Sequence, residues 1–374
     1  MSAEASPGRA QRPVARSRAG SAFDLLVVGD ANPDVVLSGV PSELAYAQVE
    51  QLVDTGLLTI GGSAAIMACA AARLGLRTAF VGMVGDDAAG RFMLSELTAR
   101  GVDVSGCVTH ESLATGLTVN LVKEEDRAIL TFVGCISALA ARQVSRELLR
   151  SSRHLHVSSF FLQPLLAAES AGLFEEAQAA GLTTSLDTNW DPADEWDGGL
   201  AGALPHTDLL FPNSEEALAI ANVLVKPGAP PERGLESAVG TAVGTAVGTQ
   251  VSHDLESTGV MPVAHDLEWA VGTLARHGPL PVVKRGADGA VTRVDGRLVR
   301  APGLTAGVID TVGAGDSFDA GFLAGWLNDY GIERSLALAV ACGALSTRGA
   351  GGVAMQATLD EALAIAGAAR PGSA

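Results

Sequence analysis

Aromatic residues are scarce in this chain, and basic residues are outnumbered by acidic ones. Phe, Trp and Tyr make up 4% of the 374 residues, so the composition does not suggest an aromatic-lined binding surface. Lys and Arg number 25 against 42 Asp and Glu, which gives a formal net charge of -17. Nucleic acids and anionic membranes need a clustered basic surface, so neither is expected as a partner.

Two further absences concern metal sites and membranes. The four cysteines lie far apart without a CxxC pair, so neither a zinc site nor a disulfide framework is predicted. No apolar run reaches the roughly 18 to 20 residues of a membrane-spanning helix, and we expect a cytoplasmic protein. Residues 1–22 contain four Arg and no apolar signal core. They are predicted to form a disordered tail, with a transit peptide as the alternative.

The chain does contain a regular alternation of short apolar runs and helical segments. Leu25 to Val28 predicts a first buried strand that ends in a Gly-Asp turn. Further strands are predicted at 78–84, 154–158, 183–187 and 209–211. Helices are predicted at 64–74, 167–180, 214–221 and 318–327. This order favours a parallel sheet with crossover helices.

Two stretches depart from the alternation. Residues 116–122 and 127–133 predict a hairpin across a charged turn, and with residues 35–60 they could form a small separate sheet. Residues 226–262 are rich in Pro and Gly and carry AVGT three times in tandem. Because a period of four residues is too short for a solenoid unit, we interpret 226–262 as a tolerated low-complexity surface insertion.

The most informative segment is Asp310-Thr-Val-Gly-Ala-Gly-Asp-Ser-Phe, in which Gly313 to Asp316 lead into a helical pattern. A glycine turn at a helix start exposes backbone N–H groups and the positive end of the helix dipole, which together bind phosphate. Asp316 would then lie where its carboxylate can contact an acceptor hydroxyl. On this segment alone, the alternative is an ordinary glycine turn with an acidic residue in the first helical turn.

This segment resembles the carboxyl-terminal signature of the PfkB, or ribokinase-like, family of carbohydrate kinases. The amino-terminal signature is also recognisable, from Gly61-Gly62-Ser63 to Gly85-Asp86-Asp87-Ala-Ala-Gly90. Two signatures in the right order are far more specific than either alone. The resemblance covers residues 23–365. It implies a three-layer α/β/α domain with a mostly parallel central sheet, and a small β-sheet lid formed by segments 31–60 and 107–135.

The resemblance also implies a reaction. The chain is expected to transfer the γ-phosphoryl group of MgATP to a hydroxyl of a small sugar or sugar-like acceptor. Asp316 is implied as the general base, and Gly313, Ala314 and Gly315 as the anion hole. This interpretation leaves room for a homodimer.

Residue by residue, the resemblance assigns acceptor, nucleotide and cation sites. The acceptor is implied to contact Asp34, Gly61, Gly62, Ser63, Gln163 and Arg127. The nucleotide is implied to contact Asn213, Lys284, Gly286, Gly289, Thr311 and Gly343. Mg²⁺ is implied to be held, through water as magnesium prefers, by Glu216 and Asn213. K⁺ is implied to be held by Asp310 and the Val312 carbonyl. The lid residue Asn120 is expected to be a solvated strand residue.

Two positions depart from the family pattern. Ile66 lies where many sugar-kinase members have a sugar-binding Asn, and an apolar residue in a pocket wall would suit a nucleoside base. Asp191 replaces an Arg in the element Asp187-Thr-Asn189-Trp190-Asp191, and loss of that cation would weaken phosphate stabilisation or shift the task to Arg127 or Lys284. A nucleoside kinase, or an inactive relative acting as a binding module, therefore stays an alternative. A pyridine-nucleotide dehydrogenase is not supported, because no GxGxxG follows the first strand.

Overall fold

The computed structural model describes residues 20–123, 126–225, 266–305 and 307–368. The predicted insertion at 226–262 lies outside these ranges, as do residues 1–19 of the predicted tail.

The strands of the described residues are β1 (Leu25–Val28), β2 (Asn32–Ser38), β3 (Thr55–Gly61), β4 (Thr78–Val81), β5 (Met83–Gly85), β6 (Val108–His110), β7 (Leu117–Lys123), β8 (Asp126–Phe132), β9 (His154–Val157), β10 (Thr183–Leu186), β11 (Leu209–Leu210), β12 (Leu280–Lys284), β13 (Ala290–Val294) and β14 (Arg297–Ala301). The α-helices are α1 (Ser63–Arg73), α2 (Ala88–Ala99), α3 (Arg146–Ser151), α4 (Pro164–Ala179), α5 (Leu200–Ala203), α6 (Ser214–Leu224), α7 (Leu267–Arg276), α8 (Ala314–Leu327), α9 (Ile332–Ser346) and α10 (Leu359–Ala368).

The central sheet has eight strands in the order β14-β13-β12-β11-β10-β9-β1-β4. The six strands from β12 to β4 in this order pair in parallel, and β13 and β14 form an antiparallel edge. β1 is buried on both faces and continuously apolar, which is why the run Leu25–Val28 predicted it. The expected mostly parallel α/β sheet is confirmed.

The central sheet is the middle of three layers. Leu25 and Val27 of β1 pack into a core with residues of α1, α8 and α9. Leu26 and Val28 point the other way, into a second core with residues of α4, α6 and α7. The predicted α/β/α arrangement is therefore correct. None of the helices in the described ranges has the length and apolar character needed to span a bilayer.

A second sheet has the order β3-β2-β7-β8. β7 and β8 form the predicted hairpin, and β2 pairs antiparallel with β3 and parallel with β7. Asp34 and Asn120 lie on one face of this sheet and are buried. Thr59, which pairs with Asp34, approaches Gly351 of the main domain, so this buried face points towards the central sheet. On the opposite face, Phe132 is 57% exposed.

The predicted strand at 78–84 is wrong in one respect, because it is two strands. β4 joins the central sheet, whereas β5 pairs with β6 in a separate two-stranded sheet. Gly82 lies at the break, where a methyl group would be 2.6 Å from the Phe80 ring and 3.0 Å from the Gly29 carbonyl. The chain passes so close to β1 at this point that only glycine fits without displacement.

Candidate active site

Polar residues gather at the carboxyl ends of the parallel strands. Asp30 follows β1, Ser159 follows β9, Asp187 follows β10, and Lys284 ends β12. This is the edge where open α/β sheets bind ligands. The N-terminus of α8 reaches the same edge, since a methyl group at Gly315 would lie 3.5 Å from Lys284 Nζ.

The glycine turn before α8 is built for close approach. Gly313 has φ 70°, a left-handed conformation, and a methyl group there would lie 2.7 Å from the Gly352 Cα atom. The first helical hydrogen bond runs from the Ser317 N–H to the Gly313 carbonyl, at 2.9 Å. The N–H groups of Gly315 and Asp316 belong to the first turn, where a helix offers no intrahelical acceptor. Together with the helix dipole, these N–H groups favour an anion at this position.

Asp310 ties the glycine motif to the loop that follows α9. Its Oδ1 accepts the Val312 N–H at 2.9 Å, and its Oδ2 accepts the Gly351 N–H at 2.8 Å. The carbonyl of Thr311 accepts the Ala314 N–H at 3.3 Å. The carboxylate of Asp310 therefore holds the turn in shape, and its predicted role as a K⁺ ligand stays a prediction.

Asp316 is buried at the start of α8. Burial and the neighbouring carboxylates of Asp187 and Asp30 raise its pKa well above the usual value for Asp, against the opposing effects of Lys284 and of a hydrogen bond from the Ser63 hydroxyl. A carboxylate in these surroundings takes up a proton more readily than an exposed one. This property suits a general base.

Lys284 is the centre of a lysine–carboxylate cluster with Asp187 and Asp319. Its Nζ lies 3.1 Å from Asp187 Oδ2 and 3.3 Å from Asp319 Oδ2. Burial disfavours the ammonium, but the charges of Asp187, Asp319 and two further acids raise its pKa above the ordinary value for Lys. Lys284 is therefore a permanent cation beside the glycine turn.

Sequence reasoning did not assign Asp319 to the site, although a signal existed. Asp316 and Asp319 are three residues apart on α8, a spacing that puts both on one helix face. Asp319 and Asp187 are both buried, and Asp187 Oδ1 has no hydrogen-bond partner among the described residues. Burial and Asp187 raise the pKa of Asp319 well above its usual value, although Lys284 lowers it.

A second network that the sequence did not reveal joins the glycine motif of α1 to the strand ends. Asn189 has φ 55°, and its Nδ2 donates to Ser63 Oγ at 2.7 Å and to Ser159 Oγ at 3.0 Å. The N–H groups of Ser63 and Ala64 donate to Asp30, at 3.2 and 2.9 Å. Asp30 therefore holds the N-terminus of α1 in place. Ser63 contacts both this network and Asp316.

Asn213 and Glu216 form a reciprocal helix cap at the start of α6. The Glu216 carboxylate accepts the Asn213 N–H at 2.8 Å and its Nδ2 at 2.7 Å, and Asn213 Oδ1 accepts the Glu216 N–H at 2.9 Å. Burial and the charge of Asp187 raise the pKa of Glu216 to about 7.

The donor atoms near α6 are of the kind that Mg²⁺ takes. Glu216 and Asp187 offer carboxylate oxygens, and Asp187 Oδ1 is buried without a partner in the described ranges. No group of three or more His, Cys, Asp or Glu side chains among the described residues is arranged to hold a metal. A few carboxylates completed by water and phosphate oxygens is a common magnesium environment, so the residues fit the ion.

On the lid side, Asp34 is held by two amides. Asn32 Nδ2 lies 3.4 Å from Asp34 Oδ1, and Asn120 Nδ2 lies 3.3 Å from Asp34 Oδ2. The expectation that Asn120 is a solvated strand residue is wrong, because its side chain is buried against this carboxylate. Asp34 also lies directly against Gly61, where a methyl group would be 1.8 Å from Asp34 Oδ1. Asp34 and Gly61 are thus adjacent, as the predicted acceptor site requires.

Gly61→Ala is expected to raise the KM for the acceptor by about tenfold or more, equivalent to at least ~1.4 kcal/mol of binding, with little change in the KM for ATP. The added methyl group would overlap the Asp34 carboxylate and displace it. Steady-state kinetics with each substrate varied in turn would measure both constants. Gly172→Ala is the control, because nothing lies within 4 Å of that position in α4. An unchanged acceptor KM in Gly61→Ala would show that Asp34 does not hold the acceptor.

Ile66 does not line an open pocket. It is buried between two glycine turns, with its Cγ2 2.9 Å from a methyl group placed at Gly313 and its Cδ1 2.6 Å from one at Gly352. Its carbonyl accepts Gln356 Nε2 at 2.8 Å. Ile66 therefore packs beneath the glycine turn before α8, and the argument that it would suit a nucleoside base does not apply.

Asp191 has a structural task in place of the expected cation. Its carboxylate accepts the N–H groups of Ala193, Glu195 and Trp196, at 2.9, 2.9 and 2.7 Å. These bonds fold the loop after β10 back on itself. The acid at this position is explained by the loop that it holds.

The assigned residues Gln163, Gly286, Gly289 and Gly343 lie around the same edge of the central sheet. Gln163 is fully buried, and its Nε2 donates to two backbone carbonyls after β9 at 2.7 and 3.1 Å. Gly286 and Gly289, with φ 55° and 85°, form the turn between β12 and β13. Gly343 of α9 packs against the start of α8, where a methyl group would lie 3.1 Å from a carbonyl. Arg127 is in β8, but its side chain lies outside the described part of the chain.

The chain is similar to known proteins over most of its length. Residues 22–358 match the profile described as "pfkB family carbohydrate kinase". An ATP-dependent ribose-1-phosphate kinase of Halopiger xanaduensis is 30% identical over 323 residues, covering 86% of this chain and 91% of that protein. A 5-dehydro-2-deoxygluconokinase of Geobacillus thermodenitrificans is 26% identical over 289 residues, covering 74% of this chain and 75% of that protein.

Solved structures share the fold. The Arabidopsis thaliana ribokinase complexed with ribose and ATP has a TM-score of 0.69 at 22% identity, covering 92% of this chain and 99% of that one. A fructokinase with bound ATP from Xylella fastidiosa has a TM-score of 0.71 at 21% identity, covering 91% of this chain and 97% of that one.

Proposed function

This chain belongs to the pfkB family of carbohydrate kinases, and we propose that it transfers the γ-phosphoryl group of MgATP to a hydroxyl of a small sugar or sugar-like acceptor. Enzymes of this family are phosphotransferases with an alcohol group as acceptor. The observation that carries the finer proposal is Asp316, buried at the start of α8 beside the N–H groups of the glycine turn and next to Lys284.

Asp316 acts as the general base in this proposal. As the acceptor oxygen bonds to the γ-phosphorus, its proton passes to the Asp316 carboxylate, and the bond from phosphorus to the bridging oxygen of ADP breaks. The electron pair of that bond stays on ADP. The turn of Gly313, Ala314 and Gly315 forms the anion hole for charge on the equatorial oxygens, and the N–H groups of Gly315 and Asp316 are its donors without an intrahelical acceptor. Such preorganised donors are a large contribution to phosphoryl transfer.

The assigned residues divide the binding tasks between the two sheets. Asp34 accepts hydrogen bonds from hydroxyl groups of the substrate, which lies against the backbone of Gly61 and Gly62. Hydrogen bonds to an ionised carboxylate are stronger than those between neutral groups. The nucleotide is proposed to contact Lys284, Asn213, Thr311, Gly343 and the turn of Gly286 and Gly289.

Glu216 and Asn213 would hold Mg²⁺ through water, and Asp310 with the Val312 carbonyl would hold K⁺. Bound Mg²⁺ neutralises charge on the phosphate oxygens. The capping bonds of Asn213 already orient both oxygens of Glu216, which keeps the carboxylate in one position.

A homodimer is also proposed, and sedimentation of the purified chain tests it.

The acceptor class is proposed to be a sugar in preference to a nucleoside. The relatives named above are kinases of ribose-1-phosphate and of 5-dehydro-2-deoxygluconate. The one residue that favoured a nucleoside, Ile66, is buried beneath the glycine turn.

ADP release by the purified protein with ATP and Mg²⁺ tests the proposal, across a panel of sugars, sugar phosphates, sugar acids and nucleosides. We expect one sugar class to raise ADP release well above the rate with ATP alone, and K⁺ in place of Na⁺ to increase it further. A protein that binds ATP and stays silent with every acceptor would support the inactive binding module. A response to nucleosides alone would overturn the sugar assignment.

A further inference from the structure

The position of Lys284 places a cation at the glycine turn. Its Nζ lies 3.1 Å from Asp187 Oδ2 and 3.3 Å from Asp319 Oδ2, and 3.5 Å from a methyl group placed at Gly315. The Lys284 side chain is 14% exposed, so water does little to screen it. The ammonium therefore lies beside the first turn of α8.

The acids around Lys284 make a cation necessary at this position. Lys284 interacts with the carboxylates of Asp187, Asp319, Glu216 and Asp316. Among the described residues, no second Lys or Arg forms an ion pair with Asp187 or Asp319. A γ-phosphoryl group brought to the glycine turn would meet these acids, and a cation at short range offsets their repulsion.

The loop after β10 supplies no cation through Asp191. That residue is an acid, and its carboxylate accepts three backbone N–H groups of its own loop. Lys284 reaches the glycine turn from β12, on the other side of β11 from β10. It is placed to supply the positive charge at the turn.

We propose that Lys284 is a further catalytic residue whose ammonium donates to the transferring γ-phosphoryl group. This inference rests on the proposed kinase function. An ammonium has three N–H donors. One points to Asp187 Oδ2 at 3.1 Å, and a second can be shared by the two Asp319 oxygens, which lie at 3.4 and 3.3 Å, so the third can donate to a phosphate oxygen. The two carboxylates hold Nζ in place before ATP binds, so no reorganisation is needed as charge develops on the phosphoryl oxygens.

A purely structural role for Lys284 predicts different behaviour. In that case the ammonium would serve only to neutralise two buried carboxylates. Removing it would destabilise the fold, and removing one carboxylate as well would restore both stability and activity. If Lys284 is a catalytic cation, removing it alone or together with a carboxylate lowers the activity in both cases, even where stability is restored.

The experiment compares Lys284→Met with the double variant Lys284→Met/Asp319→Asn. For Lys284→Met, we expect kcat to fall by about 10² to 10³, and Lys284→Arg to keep part of the activity. The Kd for ATP should rise more than the Kd for ADP, because only ATP carries the γ-phosphate. The double variant should recover thermal stability, and its kcat should stay as low as that of Lys284→Met. Arg146→Met, which removes an exposed cation that pairs with Glu176, should leave the ratio of the two Kd values unchanged.

Two outcomes would overturn the inference. One is a Lys284→Met variant with wild-type kcat and an unchanged ratio of ATP to ADP affinity. The other is an unstable single variant whose double variant regains both stability and kcat. If the wild-type protein phosphorylates no acceptor, the proposed function fails, and the ratio of ATP to ADP affinity still decides whether Lys284 contacts the γ-phosphate.

Discussion

Replacing Asp316 by Asn is expected to lower kcat by about 10² to 10⁴, the usual contribution of a positioned general base. Asn has nearly the same shape and fits the same buried space, but its amide cannot take the acceptor proton. Binding of ATP should be retained, because the N–H groups of the glycine turn are unchanged. Thermal stability should not fall, since the substitution removes a buried charge that lies near Asp187 and Asp30.

The pH dependence of the wild-type enzyme gives a second measure of the same residue. The pKa of Asp316 is raised by burial and by Asp187 and Asp30, while Lys284 and the Ser63 hydroxyl oppose the rise. Only the ionised carboxylate accepts a proton, so kcat should fall as the pH drops through this raised pKa. This acidic fall of kcat, the acid limb of the pH profile, should therefore occur at a higher pH than the usual pKa of an exposed Asp.

Residual turnover of Asp316→Asn should lack that acid limb. Asp360→Asn, an exposed change at the start of α10, is the matched control and should keep both the rate and the limb. Turnover near the wild-type value in Asp316→Asn would show that the base is a different group.

The layers of the fold could be predicted from the sequence because the signals are local. A strand covered on both faces is commonly apolar along its length, as β1 is, so a run of four apolar residues between helices is informative. The split between β4 and β5 could not be predicted in this way. It depends on the close approach of Gly82 to Phe80 and to the end of β1, which exists only once the sheet has formed.

The candidate site could be proposed from the sequence where its residues are contiguous. The glycine turn and Asp316 lie within one short segment, and Gly61 to Ser63 within another. The lysine–carboxylate cluster joins Lys284 to residues 97 and 35 positions away, and no spacing rule relates them before the strands are ordered. Asp191 shows a related limit. The sequence predicts that a cation is missing there, but not that the carboxylate accepts three N–H groups and holds its own loop.

A buried ion-pair network lies at the other end of the sheet from the site. Asp24, just before β1, accepts from Arg77 Nε at 3.0 Å and from Arg153 Nη1 at 3.1 Å. Arg153 also donates to the Leu327 carbonyl at the end of α8, at 2.8 Å. The network therefore ties the amino ends of three strands to the helix that carries Asp316, through contacts that are remote from the chemistry.

Asp24→Asn is expected to lower the free energy of unfolding by about 3 to 5 kcal/mol at pH 7, as in other cases where one partner of a buried ion pair is removed. The Arg153 side chain is only 7% exposed, so its charge would lose the Asp24 carboxylate without gaining much water. Urea unfolding would measure the loss. The value of kcat under stabilising conditions should be close to wild type. Glu333→Gln, in an exposed pair with Arg297, is the control and should cost less than about 1 kcal/mol.

The loss in Asp24→Asn should also depend on pH. Burial raises the pKa of Asp24, but hydrogen bonds from Arg77 and Arg153 outweigh it and lower the pKa from 3.8 to about 2. A lowered carboxyl pKa contributes stability above the unfolded value, here about 2 kcal/mol, and that contribution disappears as the pH falls towards the folded value. The difference between wild type and variant should therefore shrink between pH 4 and pH 2. A difference that stays constant across this window would show that the carboxylate charge does not stabilise the fold.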